Sequence, residues 1–187
     1  MRPAHIRAAV KFLEGKGFDV VIVGGAVMQL RGSGSTEDVD LFVTVSDYGR
    51  LEEVLLHDTS VVDVKLGDET SVAYLKLGGE KIRIDILDPS YFSGEKTGDE
   101  FFDYVKRHWS KEETVGRVAD PAVVWYTRLF VKKEAYLDRI DIDLGQGAKI
   151  EWLDGAQEIA NYLGTKERIR EQLRRLDELF KVTRGPD

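Results

Sequence analysis

Three aspartates in two apolar segments have a type and spacing that could do chemistry. Asp38 and Asp40 are two residues apart in DVDLFV, so both side chains project from one face if this segment is a strand. Asp85 lies in KIRIDIL, where apolar and polar residues alternate as in a half-buried strand. If the two strands pair side by side, the three carboxylates converge and repel one another unless a positive group sits among them.

A divalent cation is the positive group that best suits three carboxylates. Mg²⁺ prefers carboxylate oxygens, water and substrate phosphate oxygens as ligands. Two such ions about 3.5–4 Å apart can hold both ends of an in-line displacement at phosphorus. The sequence therefore predicts that Asp38, Asp40 and Asp85 form a site for two Mg²⁺ ions, with Mn²⁺ as the alternative metal.

A pair of glycines precedes the first two acids and ends the apolar run at residues 19–23. Gly24-Gly25 would let the backbone approach a triphosphate closely. A dinucleotide fingerprint requires G-x-G-x-x-G, but the third and sixth positions counted from Gly24 are Ala26 and Gln29. A P-loop is also excluded, since no Gly-Lys-Ser/Thr follows. The pair is better explained as a phosphate turn that works together with the acids.

The composition limits the class of protein. The length of 187 residues suggests one domain, or one domain with a helical appendage, and 42% hydrophobic and 33% charged residues are an ordinary globular balance. The net charge of −7 argues against a general nucleic-acid coat protein. The chain has no cysteine, which excludes disulfides, thiol catalysis and cysteine-bound metals. No apolar run approaches the ~20 residues that span a bilayer, so we expect no membrane partner and a cytoplasmic location.

The elements that must position these residues are predicted from hydrophobic periodicity. A helix begins at Pro3, a short helix follows the glycine pair at 25–31, and a soft turn covers 32–36. Strands are predicted at 19–23, 38–44, 61–66, 71–77 and 81–87, with a hairpin turn at 67–70. The pattern predicts an α/β (α+β) domain over residues 1–110 and a C-terminal helical region packed on it over 111–187.

Further elements are predicted outside the strands. We expect a helix from Asp47 to Leu56 with Ser46 as its cap, and a loop over 88–98. From about residue 99 the pattern is helical, and Asp120-Pro121 begins a helix that runs to about 134. Later helices are predicted at 137–143, 149–163 and 165–181.

The spacing GG-x12-D-x-D, followed by an acid in RIDIL, resembles the signature of the DNA polymerase β-like nucleotidyltransferase superfamily. The longer stretch GGAVMQLRGSGSTEDVDLFV is more similar to its small prokaryotic branch of minimal nucleotidyltransferases and abortive-infection toxins. The resemblance covers residues 19–87 and, more weakly, 118–142, where Arg128 occupies a place that is often Lys. Relatives often carry Arg two residues before the Ser/Thr of the motif, and this chain has Gly34 there.

The resemblance implies a nucleotidyltransferase-type mixed β-sheet with flanking helices. It also implies magnesium-dependent transfer of a nucleoside monophosphate from an NTP such as ATP to an acceptor hydroxyl, with release of pyrophosphate. The implied catalytic and metal-binding residues are Asp38, Asp40 and Asp85. The implied nucleotide-binding residues are Gly24, Gly25, Ser33, Ser35 and Thr36.

The sequence leaves the acceptor open among tRNA, a small molecule and a protein. The toxin relatives imply a cognate antitoxin as a further partner, and the pattern contains no signal for an oligomeric state. The substitution at Gly34 keeps an alternative open, in which the chain is a catalytically inactive nucleotide- or protein-binding module of the same fold.

Overall fold

The computed structural model describes residues 1–112, 115–145 and 150–184. The helices within these ranges are α1 (Pro3–Glu14), α2 (Gly24–Leu30), α3 (Val45–Gly49), α4 (Leu51–His57), α5 (Gly98–Arg107), α6 (Pro121–Val131), α7 (Glu134–Gly145), α8 (Glu151–Tyr162) and α9 (Lys166–Arg184). The strands are β1 (Val20–Ile22), β2 (Asp38–Val43), β3 (Val61–Lys65), β4 (Thr70–Leu77), β5 (Glu80–Leu87), β6 (Ser110–Glu112) and β7 (Gly116–Val118). None of these helices is long and apolar enough to cross a bilayer.

One mixed sheet runs through these residues with the strand order β3-β4-β5-β2-β1-β7-β6. The central strand β2 pairs antiparallel with β1 and parallel with β5, and β1 pairs parallel with β7. The other neighbours are antiparallel, including the hairpin that the sequence predicts around 67–70. The mixed sheet, its flanking helices and the C-terminal helices confirm the predicted fold class.

The first helix shows how the sequence pattern produces packing. Pro3 occupies the first turn of α1. Backbone amides there have no acceptor within the helix, so the amide hydrogen that proline lacks costs no hydrogen bond. The apolar residues recur three and four positions apart, so they form one face that packs on β1 and β5. The buried residues of that face are Ile6, Ala9, Val10 and Leu13. Gly17 then adopts a φ of 82°, which lets the chain turn into β1.

A cluster of aromatic rings ties the central strand to the helical half. Phe42 of β2 packs against Phe92 and Phe101, each with a centroid distance of 5.7 Å. Phe101 of α5 in turn meets Tyr126 of α6 edge to face at 5.8 Å. The Tyr126 hydroxyl donates to the Phe92 carbonyl at 2.6 Å, so its polar end is satisfied inside the core. The strand that carries two of the acids is therefore held against α5 and α6.

The prediction of one helix from Asp47 to Leu56, with Ser46 as its cap, is wrong. The chain forms two short helices there, α3 and α4, and Thr44 caps the first by accepting a hydrogen bond from the Asp47 amide at 3.2 Å. The Asp47 carboxylate accepts hydrogen bonds from the Arg50 guanidinium and from a backbone amide that precedes β1. These contacts fix the turn between the helices, and the second of them joins segments far apart in sequence.

The predictions for 88–98 and for the chain after residue 99 are each wrong in part. The expected loop contains a 3-10 helix, Pro89–Phe92, whose cap is Asp88. The expected helical region contains β6 and β7, which extend the sheet beyond β1. A strand of three residues is too short to show a period, and β7 forms by pairing with β1, far away in the sequence, while β6 pairs with β7.

The later helices follow the prediction more closely. The Asp120 carboxylate accepts a hydrogen bond from the Ala122 amide at 2.8 Å and so caps α6, which ends at Val131. The helices α7, α8 and α9 overlap the three later predictions, although residue 149, the predicted start of the second, lies outside the described residues. The division of the chain at residue 110 stays a prediction.

We expect Phe101→Ala to lower the free energy of unfolding by about 3–5 kcal/mol, because it leaves a cavity between Phe42 and Tyr126. Urea denaturation followed by circular dichroism measures this change. Leu56→Ala is the matched control, since Leu56 is 53% exposed and its truncation should change the same quantity by no more than about 0.5 kcal/mol. Equal losses in the two variants would contradict the core described here.

Candidate active site

The three predicted acids meet where β2 and β5 run side by side. The strands are parallel, and their register places Asp40 beside Asp85, with Asp38 two residues before Asp40 on the same face. Carboxylate oxygens of all three lie within 4.8 Å of one another. The alternate positions of both strands pack into the core, namely Val39, Leu41, Ile84 and Ile86. Apolar alternation thus turns every acid to the same side of the sheet.

Burial, together with the closeness of the acids, changes the protonation of Asp40 and Asp85. Burial raises the pKa of Asp40 to about 7, and the carboxylates of Asp38 and Asp85 add to the rise. The Gly25 amide and the Arg128 guanidinium act in the opposite direction. Burial also raises the pKa of Asp85, while hydrogen bonds from Arg83 oppose that rise. Without an added cation, the cluster therefore holds a proton more tightly than isolated carboxyl groups would.

Arg83 supplies positive charge within the cluster. It lies two residues before Asp85 on β5, so both side chains project from one face. Its Nε and one terminal nitrogen donate to the two carboxylate oxygens of Asp85 at 2.8 and 2.7 Å. Its other terminal nitrogen lies 3.9 Å from a carboxylate oxygen of Asp38. The guanidinium thus contacts two of the three acids.

The donor set fits a hard divalent cation. Asp38, Asp40 and Asp85 offer only carboxylate oxygens, which are the ligands that Mg²⁺ and Mn²⁺ prefer. Burial is the main cause of the raised pKa of Asp40, and the repulsion from Asp38 and Asp85 that adds to it is what a bound cation would relieve. These residues could therefore hold a metal ion, with each acid offering at least one oxygen.

Gly24 and Gly25 lie directly against the acid cluster. Gly24 adopts a φ of 61°, and a Cβ atom there would come within 1.9 Å of an Asp40 carboxylate oxygen. The Gly25 amide donates to the same oxygen at 3.1 Å. A Cβ at Gly25 would lie 2.8 Å from the hydroxyl of Thr36, which itself donates to Asp38 at 2.8 Å. The glycine pair and Thr36 thus contact the two acids of β2, so their sequence spacing reflects a direct contact.

The two predicted serines lie on another side of the turn. The Ser33 hydroxyl is buried and donates to Asp143 of α7 at 3.2 Å. Ser35 is exposed and lines a cavity next to Gly34. Gly34 adopts a φ of 74°, which a side-chain-bearing residue rarely does. Backbone geometry therefore favours glycine at the position where relatives often carry Arg.

Two cavities meet at this turn. The larger, of about 560 Å³, contains the three acids and Arg83 on the sheet side. Its helical side includes Tyr91, Thr127, Arg128, Lys133, Tyr136 and Arg139. The second cavity, of about 530 Å³, lies beside Ser35 and Asp143. The residues that line both cavities are Gly25, Arg128 and Arg139.

A buried ion pair stands between the two cavities and was not predicted. Arg128 of α6 donates to the carboxylate of Asp143, and both side chains are nearly inaccessible. Asp138, about one and a half turns before Asp143 on the same helix, is exposed. A signal for Asp143 does exist, because it follows the buried Ile140 at helical spacing and therefore lies on the apolar face of α7.

The comparison with known protein families agrees with the geometry. Residues 3–90 match a family described as nucleotidyl transferase of unknown function (DUF2204). This range contains the glycine pair and all three acids, and it ends before α5. The match supports a nucleotidyltransferase family for this part of the chain, while the DNA polymerase β-like branch stays a prediction. No curated protein matches the chain.

We expect Gly24→Ala to lower the free energy of unfolding by more than Gly17→Ala does. Both glycines have positive φ, so both variants should lose about 1–2 kcal/mol to backbone strain. Only the Cβ at residue 24 also displaces Asp40, because nothing lies within 4 Å of a Cβ at residue 17. Urea denaturation in the presence of a chelator measures the difference, and equal losses would contradict the close contact.

We expect the stability of the metal-free protein to fall as pH rises through the folded pKa of Asp40. This pKa, about 7, lies above the ordinary value of 3.8, so protonated Asp40 stabilises the fold fully below about pH 4 and loses that contribution by about pH 8. Asp40→Asn stays neutral, so its free energy of unfolding relative to wild type should rise by on the order of 2–4 kcal/mol between pH 4 and 8.

Urea denaturation with a chelator at each pH tests this expectation. Asp63→Asn is the control, because Asp63 lies exposed on β3, away from the cluster. A pH-independent difference between wild type and Asp40→Asn would contradict the raised pKa.

Proposed function

We propose that the protein is a metal-dependent nucleotidyltransferase of the DNA polymerase β-like type. It would transfer a nucleoside monophosphate from an NTP to an acceptor hydroxyl and release pyrophosphate. One observation supports this most directly, namely that Asp38, Asp40 and Asp85 converge on paired strands against the Gly24-Gly25 turn. The family match over residues 3–90 is consistent with it.

The reaction forms one bond and breaks one bond at phosphorus. The acceptor oxygen bonds to the α-phosphorus, and the bond from that phosphorus to the oxygen bridging it to the β-phosphate breaks, so pyrophosphate leaves. Divalent ions held by Asp38, Asp40 and Asp85, two Mg²⁺ in this proposal with Mn²⁺ as the alternative, would stabilise the developing charge on the attacking and leaving oxygens. Asp85 would accept the proton of the acceptor hydroxyl, a task that its raised pKa favours.

The remaining residues of the turn would bind and orient. The Gly24-Gly25 backbone, free of side chains, would let the triphosphate approach Asp40 closely. Thr36 holds Asp38 through its hydroxyl and would keep that carboxylate aimed at the donor. Ser35 would contact the phosphates at the mouth of the second cavity, and Ser33 would hold the turn through its bond to Asp143.

The helical side of the larger cavity would face the substrates. Lys133 and Arg139 flank the ring of Tyr136, with their charges 5.5 and 5.9 Å from its centroid. Cations opposite an acidic cluster suit a substrate that carries both phosphate and a bound metal. The acceptor hydroxyl would belong to a tRNA, a small molecule or a protein in the cytoplasm, and a toxin role would add a cognate antitoxin as partner.

A second candidate function rests on the pairing of Arg83 with Asp85. A guanidinium that holds both oxygens of one acid could replace a metal permanently, in which case the chain would be an inactive nucleotide- or protein-binding module. Calorimetric titration with nucleotides separates the two candidates. Nucleotide binding without pyrophosphate release, with every acceptor class tried, would favour the binding module.

We expect magnesium-dependent pyrophosphate release from NTPs in the presence of an acceptor, and a loss of at least ~100-fold in Asp38→Asn, Asp40→Asn and Asp85→Asn. The matched control is Asp138→Asn, because Asp138 is an exposed acid of α7 outside both cavities. A coupled pyrophosphate assay gives the rates. Activity that survives all three substitutions would contradict the assigned roles.

A further inference from the structure

Arg83 occupies the position of a cation inside the acid cluster. Its guanidinium spans both carboxylate oxygens of Asp85 with two well-formed hydrogen bonds, the geometry that makes arginine–carboxylate pairs strong. The same group lies within ion-pair distance of Asp38. Another arginine of the cavity, Arg128, donates to Asp143 and acts on Asp40 through its charge. Arg83 is therefore the cation that the described contacts place directly on the acids.

The arrangement places Arg83 in competition with any metal ion. A divalent ion bound by Asp85 must use an oxygen that already accepts a hydrogen bond from Arg83, and it must approach a fixed positive charge. The Arg83 side chain is 42% exposed, whereas that of Asp85 is 13% exposed. The arginine can therefore turn toward solvent, while the acid stays in place on the strand.

We propose that Arg83 is an internal counter-ion that holds Asp85 in the metal-free protein and sets the affinity of the acid cluster for divalent metal by competing with it. This inference rests on the proposed function, because it takes the acid cluster to be the metal site. The arginine stabilises the protein before metal arrives, since it offsets repulsion among three converging carboxylates. With metal held by the cluster, Arg83 would give up its two hydrogen bonds to Asp85 and turn into the cavity that it lines.

The substitution Arg83→Gln distinguishes two roles, in which Arg83 either competes with metal for Asp85 or orients Asp85 for metal binding. If Arg83 competes, its removal tightens Mn²⁺ binding by on the order of tenfold or more, a size typical of changes next to metal ligands. If Arg83 instead only orients Asp85 for the metal, its removal weakens binding. Lys81→Gln is the matched control, because Lys81 lies on the same strand and face but over the ring of Tyr74, with its charge 4.1 Å from the centroid.

The experiment titrates the full-length protein with MnCl₂ alone, without nucleotide, by isothermal calorimetry. Thermal melts of each variant, with a chelator and with saturating Mn²⁺, give a second readout. We expect Arg83→Gln to melt below wild type in the chelator and to gain more from Mn²⁺, while Lys81→Gln matches wild type in both measurements. Arg83→Lys keeps the charge but loses the paired hydrogen bonds, so it should bind Mn²⁺ with intermediate affinity. This variant provides the test if the glutamine variant does not fold.

The outcomes separate this inference from the proposed function. Mn²⁺ binding by the wild-type protein, together with loss of that binding in the Asp85→Asn variant, would support the metal site. If Arg83→Gln and Arg83→Lys then bind Mn²⁺ no more tightly than wild type, the counter-ion role is overturned and the metal site stands. If neither wild type nor the Arg83 variants bind Mn²⁺, both the inference and the metal-dependent function fail.

Discussion

Repulsion among three carboxylates on two parallel strands is the constraint on which the rest of the site depends. Hydrophobic alternation places Asp38, Asp40 and Asp85 on one side of the sheet, where burial makes the charges of Asp40 and Asp85 more costly. The surrounding residues respond to that cost. The Gly25 amide donates to Asp40, and Arg83 holds Asp85. A site that already gathers positive partners around its acids is one that a divalent cation would stabilise further.

The scaffold fixes the acids by packing, and the helical half encloses them. Rings from β2, α5 and α6 interlock, so the strand with two acids cannot shift without disturbing the core. The Arg128–Asp143 pair joins α6 to α7, and Ser33 ties the glycine-rich turn to the same carboxylate. The turn, the acids and the cationic side of the cavity are thereby held in one connected structure.

The sequence predicted the features that follow from local hydrophobic periodicity. Strand alternation around Asp38, Asp40 and Asp85 was sufficient to place all three acids on one side, and the paired glycines marked the turn beside them. It could not predict β6 and β7, because neither carries the apolar run that marked β1. β7 forms by pairing with β1, far away in the sequence, and β6 pairs with β7. It also missed the pairing of Arg83 with Asp85 and of Arg128 with Asp143. The two-residue spacing puts Arg83 and Asp85 on one face of the strand, but the hydrogen bonds between them depend on rotamers that the sequence does not specify. The second pair depends on how α6 packs against α7.

The most direct test of the account is a crystal structure of the protein with Mn²⁺ and a non-hydrolysable NTP, in which anomalous scattering locates the metal. The account predicts Mn²⁺ bound by oxygens of Asp38, Asp40 and Asp85 at about 2.0–2.2 Å, with the triphosphate against Gly24-Gly25. Metal bound elsewhere, or a nucleotide bound while the acid cluster remains paired with Arg83 and free of metal, would contradict it.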